Sequence, residues 1–352
     1  MSVARIVAAL EDAGVAVQGV VPEGARVGEL RVSGVQQDSR AVGPGDLFVA
    51  WAGSSRDAHD YLGAAAAGGA RAAIVERPVP ETGIPQLRVD NARLAAAVAA
   101  GFVAGSPWPG LRTAGVTGTN GKTTTAFLLR GLLGRVARAA AIGTLGVVGP
   151  EGRIREDTGL TTPGPVRIAG LISELAGAGV DSVVIETSSH ALDQFRLDGV
   201  RFDVMAFTNL TRDHLDYHGT FERYIAAKAR LLELGREGAT AVINADDPAW
   251  AALRPPGPVL SYGTGPGADV QALGLRLTAR GSRFNLALGG ARVPVTLALP
   301  GRFNVYNALC AAACALALDQ PMEAVATGLA DASPVPGRLE RIVSEPFDVF
   351  VD

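Results

Sequence analysis

The stretch GVTGTNGKTTTAFLL (Gly115–Leu129) concentrates residues that do phosphate chemistry. A short apolar run enters a glycine-rich turn, and an apolar-faced helix begins near Lys122. Backbone N–H groups of such a turn and helix start cradle phosphate oxygens, and a lysine there reaches the terminal phosphates. Gly118, Thr119, Asn120, Gly121, Lys122, Thr123 and Thr124 are therefore candidate nucleotide contacts, with the Thr123 hydroxyl placed to hold Mg²⁺. The usual first glycine of this spacing is Val116 here. A plain glycine turn between strand and helix is the alternative, but it has no use for both the lysine and three successive threonines.

Two further segments carry titratable groups. VVIETSSHALDQFRLDG ends an apolar run with Glu186, a carboxylate suited to Mg²⁺ directly or through water, or an ordinary strand-end acid. AFTNLTRDHLDYHGTFERYIAAKARLLE brings Asp213, His214, Asp216 and His218 ahead of Lys228, and three of the four histidines (His190, His214, His218) lie in these two segments. Lys228 either extends its stem to solvent or points inward and supplies or modifies a charge. INADDP (Asn244, Asp246, Asp247) and GRFNVYNA (Asn304, Asn307) place carboxylates and amides at element ends, where capping and nucleotide contact are both open.

These groups need elements to hold them. From Leu111 onward the pattern repeats strand, polar loop and helix, with VDSVVIETSS, FDVMAFTNL and ATAVINADDP as strand-length apolar runs. That pattern predicts an α/β fold with a mostly parallel sheet and its polar loops at the carboxyl ends of the strands. Residues 270–301 alternate as strands with glycine turns, and two helices follow (FNVYNALCAAACALALD and PMEAVATGLADA). The first part reads as a separate small α/β domain, with helices near 3–14 and in NARLAAAVAAGFVAG, closed by the turn-rich GSPWPG. The boundaries expected are 1–107, 108–340 and a final 341–352.

At 352 residues, with 48% hydrophobic content and few aromatics, the composition is that of a globular protein packed with Ala, Val and Leu. The net charge of −3 and the lack of a dense basic tract argue against nucleic-acid binding. Cys310 and Cys314 lack partners spaced for zinc. No stretch reads as an export signal or a membrane span, so the cytoplasm is the expected location; a monomer is expected as well.

TGTNGKTT, ETSSHAL, TNLTRDHLDYHG with YIAAKARL, INADDP, LPGRFNVYNA and PGRLER, taken in order, resemble the Mur ligases of peptidoglycan synthesis, most nearly the MurE branch. QQDSRAVGPGDLFVA resembles that family's uridine-nucleotide domain. The resemblance implies an ATP- and Mg²⁺-dependent amide ligase. ATP would phosphorylate a carboxylate of UDP-N-acetylmuramoyl-L-alanyl-D-glutamate, and the amine of diaminopimelate or lysine would displace phosphate. It implies that Thr123 and Glu186 hold one magnesium, while Glu186, His214 and a carbamoylated Lys228 serve a second, with Lys122, Glu186, His214 and Lys228 as the catalytic set. Gln37 and Ser39 correspond to uridine contacts, with Ser54, Ser55 and Arg56 on a neighbouring loop. Thr161, Thr162, Ser188, Gln194 and Arg196 correspond to contacts of the muramoyl dipeptide, and Asp246, Asn304, Asn307 and Arg338 fall on the ATP side. Leu160 stands where some members have Asn.

The resemblance further implies a third, Rossmann-like domain beyond Asp352 that binds the incoming amino acid. The closing EPFDVFVD then reads as its first strand, expected to be disordered or paired with a neighbour's edge, and a chain without that domain is expected to bind substrates but ligate poorly. The alternatives are a non-catalytic ATP- and substrate-binding fragment, a MurF-like ligase, a folylpolyglutamate synthetase and, more remotely, a P-loop switch or transport ATPase.

Overall fold

The computed structural model describes residues 1–53, 56–152, 154–156, 158–343 and 349–351. The chain divides into two compact units. The first comprises residues 1–109, 163–174 and 194–200, and the second 110–162, 175–193 and 201–352.

In the first unit, β1 (Val17–Val21), β2 (Val35–Gln36), β3 (Leu47–Ala50), β4 (Ala72–Val75) and β5 (Gln86–Val89) form one sheet in the order β1-β5-β4-β3-β2. All pairs except β1–β5 are parallel. Both faces of β3 and β4 are buried, as continuous apolar runs in a parallel sheet require. Helices α1 (Val3–Asp12) and α3 (Ala92–Val103) share one core with Leu47, Val49 and Ile74, and α2 (Leu62–Ala67) packs with Phe48, Ala73 and Val75. Asn91 caps α3 by accepting the Leu94 N–H.

The second unit is built on an eleven-stranded sheet. Its central parallel strands are β6 (Arg112–Thr117), β7 (Ala139–Gly143), β10 (Ser182–Glu186), β11 (Phe202–Phe207), β12 (Gly235–Asn244) and β13 (Val259–Gly263). One edge is extended by β8 (Gly146–Val148) and β9 (Ile154–Glu156), the other by the meander β14 (Val270–Thr278), β15 (Gly281–Leu288) and β16 (Ala291–Leu297). The unit's helices are α4 (Lys122–Leu133), α6 (Ser189–Asp193), α7 (Leu215–His218), α8 (Phe221–Ala229), α9 (Arg302–Ala317) and α10 (Met322–Ala330), while most of α5 (Pro165–Gly177) belongs to the first unit. Helix α9 is buried nearly all round and joins α4 in the main core, which explains its Ala-rich sequence and the two buried, unbridged thiols Cys310 and Cys314. Truncating a large side chain there, such as Leu309→Ala, costs about 2–5 kcal/mol.

The strand order positions the chemistry. β6 lies between β10 and β11, with Val116 opposite Glu186 and Thr117 opposite Phe207. Because all three strands run the same way, the loops that follow them meet at one sheet edge. The mostly parallel sheet expected from the strand–loop–helix repeat is therefore present. The closing segment differs from its expectation. β18 (Val349–Val351) pairs antiparallel with β17 (Glu340–Val343) of the same chain, satisfying backbone groups that had been expected to lack an intrachain partner. Residues 344–348 and 352 lie outside the described residues.

Candidate active site

The turn after β6 can take its shape because two positions are glycine. Gly118 (φ +144°) leaves no room for a Cβ against the Thr208 hydroxyl, and Gly121 (φ +84°) leaves none against the Asn307 amide. The loop after β11 then stitches this turn in place. Thr208 Oγ1 donates to Asn120 O (2.7 Å), Asn120 N–H donates to Asn209 Oδ1 (3.0 Å), and Thr119 N–H donates to Asn209 O (2.7 Å). Backbone N–H groups of the first turn of α4 are left without intrahelical partners, as at any helix start. A cleft of about 500 Å³ opens over them, lined by Thr119–Thr124, Thr144, Thr161, Asn209, Phe303, Asn304, Asn307, Arg338 and Leu339. It is roomy enough for a nucleotide-sized ligand.

Lys122 folds back on the loop, donating to Gly118 O (3.0 Å) and Thr119 O (2.7 Å), and burial lowers its pKa. Glu186 is fully buried. Its carboxylate accepts from Thr144 N–H (2.8 Å), Thr123 Oγ1 (3.0 Å) and Thr144 Oγ1 (3.2 Å). Burial raises its pKa, while the Thr144 N–H, the charge of Lys122 and the two hydroxyls oppose that rise. Thr144 follows Gly143, whose missing side chain leaves space for the Glu186 carboxylate. Lys228 is also fully buried, donating to Gly118 O (2.7 Å), and its pKa falls to about 6 through burial and then the nearby Lys122 charge, against a smaller pull from Asp213. This settles the snorkelling alternative: the amine points inward.

His214 sits in the left-handed region (φ +51°), its ring edge-on to His190 at 4.7 Å between centroids. His190 in turn lies 4.2 Å from the Tyr217 ring, and His218 bonds Ser189 Oγ (3.0 Å). The three histidines of these two segments therefore lie together. Among the described residues no three His, Cys, Asp or Glu side chains stand close enough to hold a metal together.

Other sequence candidates find various places. Thr161 lines the cleft and bonds Thr144 (3.1 Å). Thr162 donates to Glu186 O (2.7 Å) and accepts the Ser188 N–H (3.0 Å), so it buttresses the strand end. Asn304, Asn307 and Arg338 line the cleft, and Asn307 donates to Asn304 (3.2 Å). Asp246 is not brought to the cleft wall. Its carboxylate accepts from Thr264 N–H (2.7 Å), Tyr306 OH (2.7 Å) and Gly265 N–H (3.2 Å), building the turn after β13. In the first unit, Gln37 Oε1 is buried with no hydrogen-bond partner among the described residues, close by Gly164. Ser39 opens a short 3₁₀ turn capped by Asp38, Arg56 is exposed, and Arg196 donates to Gln194 (2.8 Å). Ser54 and Ser55 lie outside the described residues. Missed in the sequence were Thr144, Thr208, Asn209, Phe303 and Tyr224. Only TNLT and GRFN, beside residues already singled out, could have signalled some of them.

The family description "Mur ligase middle domain" matches residues 116–315, more than half of the chain. The chain belongs to the Mur ligase family. It is 43% identical over 324 residues to UDP-N-acetylmuramoyl-L-alanyl-D-glutamate--2,6-diaminopimelate ligase of Geobacter metallireducens, a match covering 89% of this chain and 63% of that protein. A solved structure of a ligase of the same name superposes with a TM-score of 0.81 at 29% identity, over 92% of this chain and 68% of that one. The MurF of Acinetobacter baumannii superposes with a TM-score of 0.68 at 26% identity, over 98% and 72%. This Mur ligase chain thus spans about two thirds of the length of the relatives it matches.

Proposed function

We propose that the chain carries the nucleotide-activating part of an ATP-dependent amide ligase of peptidoglycan precursor synthesis. It would act on UDP-N-acetylmuramoyl-L-alanyl-D-glutamate, with diaminopimelate as the amino acid added and lysine as the variant. The observation that carries this is the convergence of Lys122, Thr123, Glu186 and a buried, pKa-lowered Lys228 on one glycine-built loop. A carboxylate resists amines, so one of its oxygens first attacks the γ-phosphorus of ATP and ADP departs. The amine then attacks the acyl carbon, phosphate leaves with the bridging oxygen, and the amine loses its proton. Lys122 and the backbone N–H groups of the loop stabilise charge on the transferred phosphoryl group.

The donors fit Mg²⁺. Glu186 and Thr123 present hard oxygens, held in place by Thr144. Magnesium there would neutralise phosphate charge. His214 and Lys228 would serve a second ion only after the Lys228 amine becomes a carbamate. A pKa near 6 leaves that amine mostly unprotonated at neutral pH, the form that adds CO₂: an N–C bond forms, a proton leaves and an oxygen ligand results. Lysine occurs only at 122 and 228; every other cation among the 32 Lys and Arg is Arg. Arginine could not serve at 228, because a guanidinium does not give up its proton.

Gln37, Ser39 and Arg56 are proposed for the uridine side. Thr161, Ser188, Gln194 and Arg196 are proposed for the dipeptide, and Asn304, Asn307 and Arg338 for the nucleotide. In this reading residues 1–107 bind the uridine nucleotide and 108–340 bind ATP. The higher TM-score for the diaminopimelate-adding ligase than for MurF favours the dipeptide over a longer peptide as acceptor. The test is ATP-dependent phosphate release with the uridine-linked dipeptide, with and without diaminopimelate or lysine. Release that depends on the dipeptide supports the reading; ATP turnover indifferent to it, or none, overturns it.

A further inference from the structure

Tyr224 is fully buried on α8, one helical turn before Lys228, and touches both halves of the site. Its ring lies under the Lys228 amine, 4.5 Å from Nζ to centroid, and faces His218 at 5.3 Å and His214 at 6.4 Å. At its other end the hydroxyl is 3.0 Å from Thr119 Oγ1 in the phosphate loop. The direction of that bond follows from the proton count. Thr119 Oγ1 accepts the Thr211 N–H (3.0 Å) and has one proton, which goes to the Thr211 carbonyl (3.1 Å), a group that can only accept. Full satisfaction of the three contacts therefore makes Tyr224 the donor to Thr119. A buried tyrosine usually finds one such partner; here the partner belongs to the phosphate loop, while the ring forms the floor beneath the second lysine.

We propose that Tyr224 is a positioning residue that couples the phosphate loop to Lys228, through its hydroxyl on Thr119 and its ring beneath the amine. The coupling itself stands on these contacts; its effect on ATP rests on the nucleotide reading above. Lys228 also donates directly to Gly118 O, so the loop and the amine are joined at two points. Tyr224 is the one that also reaches His214 and His218. Breaking the hydroxyl contact from either end frees the ring and loosens the amine, and breaking it from both ends does no more.

Two readouts on the full chain test this. Because the chain has two lysines, brief acetylation followed by mass spectrometry reports Lys228 and Lys122 separately. In nucleotide-free protein, Tyr224→Phe and Thr119→Val each raise Lys228 labelling relative to Lys122 by about five-fold, the scale of one lost hydrogen bond, and the double variant matches the singles. Thr119→Ser restores the unaltered rate. By calorimetry ATP affinity falls about five-fold in Tyr224→Phe. Unchanged labelling in Tyr224→Phe, or effects that multiply in the double variant, would overturn the coupling. If the unaltered chain binds no ATP, the nucleotide reading fails, while the labelling cycle still decides the coupling. The retained ring preserves packing, and a thermal midpoint of Tyr224→Phe within a few degrees of the unaltered chain excludes unfolding as the cause.

Discussion

His59 in the first unit and Lys228 in the second are both buried basic side chains, and their surroundings treat them in opposite ways. Every polar atom of the His59 ring is answered by the protein. Nε2 accepts the N–H groups of Glu76 and Arg77 (3.1 Å each), which can only donate, so the proton sits on Nδ1 and meets Asp57 Oδ1 at 2.5 Å. Asp57 also receives Arg77 at 2.9 Å. Its carboxyl is held down to about 2, chiefly by the backbone N–H of His59 (3.0 Å). Lys228 has three donors as an ammonium and, among the described residues, a single accepting oxygen, Gly118 O. A buried group with a complete shell of partners is a fastener. One left short of partners, and facing a second amine, is held in a form that chemistry can use.

The largest effect expected from breaking this contrast is at Lys228. Lys228→Arg puts a permanent, larger cation where the site holds a nearly neutral amine, and it removes the amine proposed to form the carbamate. Dipeptide-dependent phosphate release should fall at least about 100-fold, the scale of losing one preorganised electrostatic group. A variant retaining a tenth of the rate in a phosphate-release assay would show that Lys228 only fills space.

A smaller effect sharpens the same point through pH. The Lys228 pKa drops from 10.5 to about 6 on folding, so between those values the unfolded chain binds more protons and stability rises with pH. Glu186 works in the opposite sense. Its raised pKa makes the native state bind more protons above the ordinary value of 4.5, so its contribution falls as pH rises. In CO₂-free, nucleotide-free buffer, Lys228→Met should therefore melt higher than the unaltered chain near pH 7 and lose the rise toward pH 10. Glu186→Gln should abolish the opposing slope while weakening ATP binding. Midpoints from pH 4.5 to 9.5 check both, the Glu186 slope starting from the acid end and the Lys228 slope running above pH 6; parallel curves for all three proteins would contradict the assignment.

How much of this was legible in the sequence depends on the range of the signal. The phosphate loop could be read because its glycines, lysine and threonines are contiguous, and the parallel sheet because its apolar runs recur with helices between them. Glu186 could be placed near Lys122 once both were set at the carboxyl ends of parallel strands. Thr144, Asn209 and Tyr224 could not be read, since each acts through a partner between about 40 and 110 residues away in sequence and none is an unusual residue type where it stands. Asp246 could not be placed for the converse reason: an acid after a strand suits a nucleotide contact and a turn equally, and its partners Thr264 and Tyr306 lie 18 and 60 residues away.

The smallest expected effect returns to His59. His59→Ala leaves the half-buried N–H groups of Glu76 and Arg77 without their acceptor and takes the ring N–H from Asp57, a loss of about 1–3 kcal/mol. Denaturant melts should show that loss, while ATP affinity stays within about two-fold, since no contact of the phosphate cleft involves His59. His59→Gln is the sharper variant, because an amide can donate to Asp57 and accept one N–H, recovering part of the stability but not all. If instead His59→Ala weakened ATP binding as strongly as it weakened the fold, a complete hydrogen-bond shell would no longer mark a merely structural histidine. The contrast with Lys228 would then fall.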